Sequence, residues 1–132
     1  MRLALIAALA PLIADAVITG HDRDEVGALV FPNLAALRAL CPELPVTAPA
    51  SEVFAQPKVR RALVAGLHRL SEAAAGSSGR IGRVLLLEEP ASIDANEITD
   101  KGYINQRAVL TRRAALVEGL HTGDVYLPVV TI

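Results

Sequence analysis

The chain has 132 residues, a net charge of −1, and an apolar content of 52% that is mostly Ala, Leu and Val. That length gives one domain with a single modest core, and the near-neutral charge provides no field for nucleic acid or an anionic membrane. Two Phe, two Tyr and no Trp argue against a flat ligand stacked inside the core, and the single Cys41 excludes an internal disulfide or thiolate cluster while fitting a reducing compartment.

Arg2 followed by the apolar run 3–14 has the charge and hydropathy of a secretory signal, and Ala14, Asp15 and Ala16 imitate a cleavage site. The same run reads as a buried helix, with Leu3, Ile6, Leu9 and Ile13 on one face and Leu5 and Leu12 widening it. Pro11 would end or kink that helix near Ala10, and the run is shorter than the ~20 residues a bilayer span needs. Residues 15–19 and 25–31 read as two strands of a hairpin, joined by turn chemistry at 20–24. Asn33 is placed to cap a helix over 34–40, and the proline-rich stretch 41–50 reads as a loop.

Ser51 or Gln56 then opens a long helix with Pro57 in its first turn, an apolar face of Val59, Leu63, Leu67 and Leu70, and Arg60, Arg61 and Arg69 solvated. Gly76 to Gly79 end it. The continuous apolar run 81–87 predicts a strand buried in the middle of a small sheet, followed by a polar loop over 88–96. Asn105 caps a last helix, 106 to about 120, with Val109, Leu110, Leu116 and Val117 inward and Arg107, Arg112 and Arg113 on a wet face. This order predicts an α+β fold, a small β-sheet flanked by helices. The apolar tail 121–132 could add an edge strand that pairs weakly with a second copy, an association that truncation after Leu120 would remove.

The stretch richest in chemistry is Glu97-Ile-Thr-Asp-Lys-Gly-Tyr-Ile-Asn-Gln-Arg-Ala-Val-Leu110. Lys101 beside Gly102, on a tight polar loop before a helix, can carry a mobile positive charge to a phosphate or carboxylate. At ~4 Å such a charge is worth roughly 4 kcal/mol in a partly shielded site. The bland alternative is a solvent-facing lysine in a capping turn. His21, Asp22, Asp24 and Glu25 match no specific metal spacing and suit a turn. His68 reads as a surface or half-buried residue, and Cys41, followed by Pro42, has no neighbouring base. The segment 76–80 could hold an anion, yet it follows a helix rather than opening one.

That string resembles the C-terminal motif of the acyl-adenylate-forming superfamily, Thr-Pro-Ser-Gly-Lys-Ile-x-Arg, which Thr99, Gly102 and Ile104 match without gaps. It is similar in detail to the version found in bacterial feruloyl-CoA synthases, as are the post-hinge hairpin at 15–32, the turn at 76–80 and the segment ending at Pro90. One departure matters: Tyr103 stands where the superfamily lysine aligns, and the lysine lies two residues earlier. Feruloyl-CoA synthases carry Lys at the position of Lys101 and usually Ser at that of Tyr103.

The resemblance implies that residues 1–132 are a single C-terminal lid domain of an AMP-forming CoA ligase, of the AMP-forming acyl-CoA synthetase fold type. The catalytic lysine would be Lys101, supported in its loop by Thr99, Gly102, Tyr103, Ile104 and Asn105. The large N-terminal adenylation domain, with the hinge, the acyl pocket and the phosphate-binding residues, would be the partner. The resemblance further implies ATP, Mg and CoA for the full-length enzyme, none bound by this domain alone, and a cytoplasmic location without nucleic acid or membrane. It favours the core-helix reading of residues 3–14. From another class, the alternative is a secreted or periplasmic α+β interaction domain with residues 1–16 as signal peptide.

Overall fold

The computed structural model describes residues 2–20, 25–73, 81–124 and 126–132. The expected turn at 20–24, apart from Gly20, and the one at 76–80 lie outside these. Four strands form one mixed sheet in the order β1 (Ile13–Thr19), β2 (Val26–Pro32), β3 (Ile81–Leu86), β4 (Val129–Thr131). β1 and β2 are antiparallel, β2 and β3 parallel, and β3 and β4 antiparallel. The parallel pair requires a crossover, which three helices supply: α2 (Leu34–Ala39), α3 (Ala50–Phe54) and α4 (Pro57–Ala73).

Helices cover both faces of the sheet, and this explains why its central strands are apolar without alternation. On one face Ala16, Ala28, Val30, Val84 and Leu86 pack with α1 (Arg2–Leu9) and α4, through Leu5, Leu9, Val59, Leu63 and Leu67. On the other, Val17, Leu29, Phe31, Leu85 and Leu87 pack with α5 (Gln106–Arg112) and α6 (Ala114–Thr122), through Val109 and Leu120. The fold is α+β, a small sheet flanked by helices, as expected.

Three details differ from the sequence expectation. Helix α1 stops at Leu9, before Pro11, so Ile13 enters β1 instead of the helix, and Leu3 is exposed. Leu5, Leu9, Ile13 and Ala16 are all buried, so cleavage after residue 16 would strip the core of all four. Of the two openings expected for the long helix, Ser51 or Gln56, the second is the one observed, with Pro57 in the first turn, and residues 50–54 form a short separate helix that was not expected. The last helix is two, broken at Arg113, whose backbone sits at φ −105 and ψ 31. Asn33 and Asn105 cap as expected, accepting from the amides of Ala36 and Ala108.

The tail completes the protein's own sheet. Val130 is buried and β4 pairs with β3 at Arg83, Val84 and Leu85. Bonds from Leu86 N to Pro128 O and from Ile132 N to Gly82 O face β3, so by alternation the Val129 carbonyl faces outward, where Arg60 donates to it at 3.1 Å. Arg60 is therefore an edge cover rather than a purely solvated residue. Among the described residues no helix is long and apolar enough to cross a membrane.

Candidate functional site

Residues 97–105 form a small hairpin. Asn105 N donates to Glu97 O at 2.8 Å, Ile98 and Ile104 make an antiparallel bridge, and Thr99 N donates to Tyr103 O at 2.7 Å. The turn closes with Gly102 N donating to Thr99 O at 2.9 Å, and Tyr103 N donates to the Thr99 hydroxyl at 3.2 Å. Gly102 has φ +84 with open space around its Cα, so a side chain here would meet backbone strain rather than a clash. A tight turn followed by a left-handed glycine is a common three-residue hairpin loop, and it puts Lys101 at the tip.

The two faces of the hairpin differ. Ile98, Gly102 and Ile104 line an open apolar groove of about 500 Å³ whose far walls include Phe31, Phe54 and Leu87. Thr99 and Tyr103 face solvent, Tyr103 at 67% exposure. Lys101 is exposed and makes no ion pair among the described residues. The structure thus brings all six motif residues into one hairpin, with Thr99 tying the turn, Gly102 bending it and Asn105 joining it to α5.

The sequence reading missed what holds the hairpin. Glu97, at its root, is fully buried and its carboxylate accepts four hydrogen bonds. Arg113 forks onto both oxygens, with Nε to Oε2 at 2.8 Å and Nη2 to Oε1 at 2.9 Å. Arg112 Nη1 and the Ser92 amide reach Oε1 at 3.1 and 2.9 Å. Arg113 also donates to the carbonyls of Glu89 and Pro90 and lies 5.2 Å from the centre of the Phe31 ring. The hydrogen bonds from Arg113 outweigh burial and hold the Glu97 carboxyl down at about 2. Arg112 in turn holds Glu89 below its ordinary value.

Arg113 is only 5% exposed, so its assignment to a wet face is corrected. The signal was present in the sequence: Val109, Arg113, Leu116 and Leu120 share one inward stripe at helical spacing. A charge at such a position needs a buried counter-charge, and Glu97 is it.

The remaining candidates stay apart from this hairpin. His68 is exposed on α4, and Cys41 is buried in the core. His21, Asp22, Asp24 and the 76–80 turn lie outside the described residues. Among the described residues no group of three or more His, Cys, Asp or Glu is placed to hold a metal ion.

No family model and no curated protein matches the chain. Solved structures do. The A-PCP didomain of carboxylic acid reductase from Segniliparus rugosus, in complex with AMP, superposes with a TM-score of 0.64 at 21% identity over 92% of this chain. The A domain of the same reductase, in complex with AMP and a co-purified carboxylic acid, gives 0.63 at 21% identity over 90%. The chain spans only 16% and 17% of those two proteins. The likeness establishes a shared fold.

Proposed function

We propose that this chain is the lid domain of an ATP-dependent acid-activating enzyme of the feruloyl-CoA synthase kind. The observation that carries the reading is Lys101, a cation with no ion pair among the described residues, at the tip of a hairpin braced at its root, in a fold shared with domains solved with AMP and a carboxylic acid. In this reading the acid and ATP give an acyl-adenylate and pyrophosphate, and attack by CoA gives the thioester and AMP. Lys101 neutralises charge between carboxylate and α-phosphate during the first step, then leaves when the lid turns. The partner is the large adenylation domain, which supplies the ATP, metal and acyl sites, in the cytoplasm where ATP and CoA are available. A hydroxycinnamic acid is the substrate class that the motif string favours.

The test is a half-reaction assay on a full-length enzyme bearing this lid. Losing a charge contact worth about 3–4 kcal/mol, Lys101→Ala is expected to slow adenylation by roughly 10²- to 10³-fold. Thioester formation from pre-made adenylate should change far less, and Tyr103→Ser should leave both steps nearly intact. A crippled Tyr103→Ser beside a fully active Lys101→Ala would move the lysine's role to position 103. Calorimetry showing micromolar ATP binding to residues 1–132 alone would sink the lid reading itself.

A further inference from the structure

Among the described residues the hairpin that carries Lys101 is fastened at its root, where Ile104 also packs against the core. Its outer face is solvent, its inner face borders an open groove, and the described hydrogen bonds to the rest of the protein converge on Glu97, Asn105 and Gln106. Of these, the Glu97 carboxylate alone is held from two directions: by the Arg112 and Arg113 side chains at the α5–α6 junction, and by the Ser92 backbone amide from the preceding loop. Arg113 adds two carbonyls of that loop, so one guanidinium ties the hairpin root, the helix break and the start of the third strand's exit loop together.

A buried ion pair is a costly way to obtain stability, since apolar residues of similar volume often do as well. What a forked pair supplies is direction. Lys101 is four residues beyond Glu97, a lever of roughly 13 Å at ~3.3 Å per residue. A tilt of about 10° at the root would displace the tip by about 2 Å, and a misplacement of ~1 Å can cost ~10²-fold in rate. We infer that Glu97 and Arg113 are positioning residues, which set the direction in which the hairpin presents Lys101. This rests on the reading of Lys101 as the adenylation lysine.

Two measurements test it. In the chain itself, amide exchange is followed at Gly102, Tyr103 and Asn105, with the amide chemical shifts of Val84 and Leu85 in the sheet as the reference. Glu97→Gln keeps the shape but sets an amide N–H against the guanidinium, and should speed hairpin exchange tenfold or more while the amide chemical shifts of Val84 and Leu85 stay as in the parent, although the fold as a whole is less stable. Arg112→Gln, which removes the half-exposed arm of the clamp, should act in the same direction more weakly and serves if Glu97→Gln does not fold. In a full-length enzyme bearing this lid, Glu97→Gln should lower the adenylation kcat at least tenfold, with KM for ATP and thioester formation unchanged. Arg113→Lys, which keeps the charge and loses the fork, should fall between. Equal loss in both half-reactions together with displaced Val84 and Leu85 resonances would reduce the pair to a structural role and overturn the inference. If Lys101→Ala slows adenylation while Glu97→Gln does not, positioning fails alone; if Lys101→Ala is silent, the lid reading fails first.

Discussion

A carboxylate held at about 2 stays ionised while the glutamates of an unfolded chain, near 4.5, take up protons. Glu97 therefore stabilises the fold fully above pH 4.5, and that stabilisation is lost as the pH falls from 4.5 towards 2 because the unfolded state binds the proton first. Breaking one side of such a buried pair costs about 3–5 kcal/mol. Thermal unfolding of Glu97→Gln should show a lower Tm at pH 7 and a flatter decline below pH 4.5 than the parent chain; parallel curves for the two proteins would refute this. At the scale of single residues the sequence made the tip legible and hid the root. Lys101, Gly102 and Asn105 announce themselves by turn and capping chemistry, which is local. Glu97 and Arg113 meet across sixteen positions, and a charged residue in an apolar stripe can be read as a boundary of the stripe until its partner is known.

Elements were legible where one local force decides them. The strand runs 26–32 and 81–86 are too apolar to lie anywhere but between two layers, and Asn33 and Asn105 mark helix starts through the amides they accept from. Breaks set by packing were not legible: periodicity runs straight through Arg113, where the helix breaks and the guanidinium turns one edge to Glu97 and the other to the carbonyls of Glu89 and Pro90. Gly66, in the middle of α4, shows the same limit. Intrinsic propensity says that Ala should improve a helix there by about 1 kcal/mol. A Cβ on Gly66 would instead stand 2.4 Å from Leu9 Cδ2 and 2.9 Å from the Ala8 carbonyl, and the latter is backbone that cannot rotate away. Gly66→Ala is expected to lose about 1–3 kcal/mol by forcing α1 off α4. Urea denaturation giving an unchanged or higher midpoint would show that α1 yields without cost.

At the scale of the whole molecule the sheet has two edges, β1 and β4, and the tail forms the second. An apolar tail invited the expectation of pairing between copies through it. In the fold that tail is spent inside the molecule: β4 is three residues long, its Val130 is buried, and its outward Val129 carbonyl already accepts from Arg60. A short edge with a cation laid over it is a blunted edge. The exposed strand would be the one beneath it. Truncation after Leu120 removes β4 and bares β3, six residues of which Val84, Leu85 and Leu86 are almost wholly buried in the intact chain. An apolar strand with a full row of unpaired amides and carbonyls recruits another of its kind, so the truncated chain should self-associate more than the intact one. Sedimentation velocity at matched concentrations decides it, with Arg60→Ala as the milder probe, since it frees one carbonyl and leaves the sheet whole. A monomeric truncation beside an associating full-length chain would mean that β4, despite its cover, is the contact between copies.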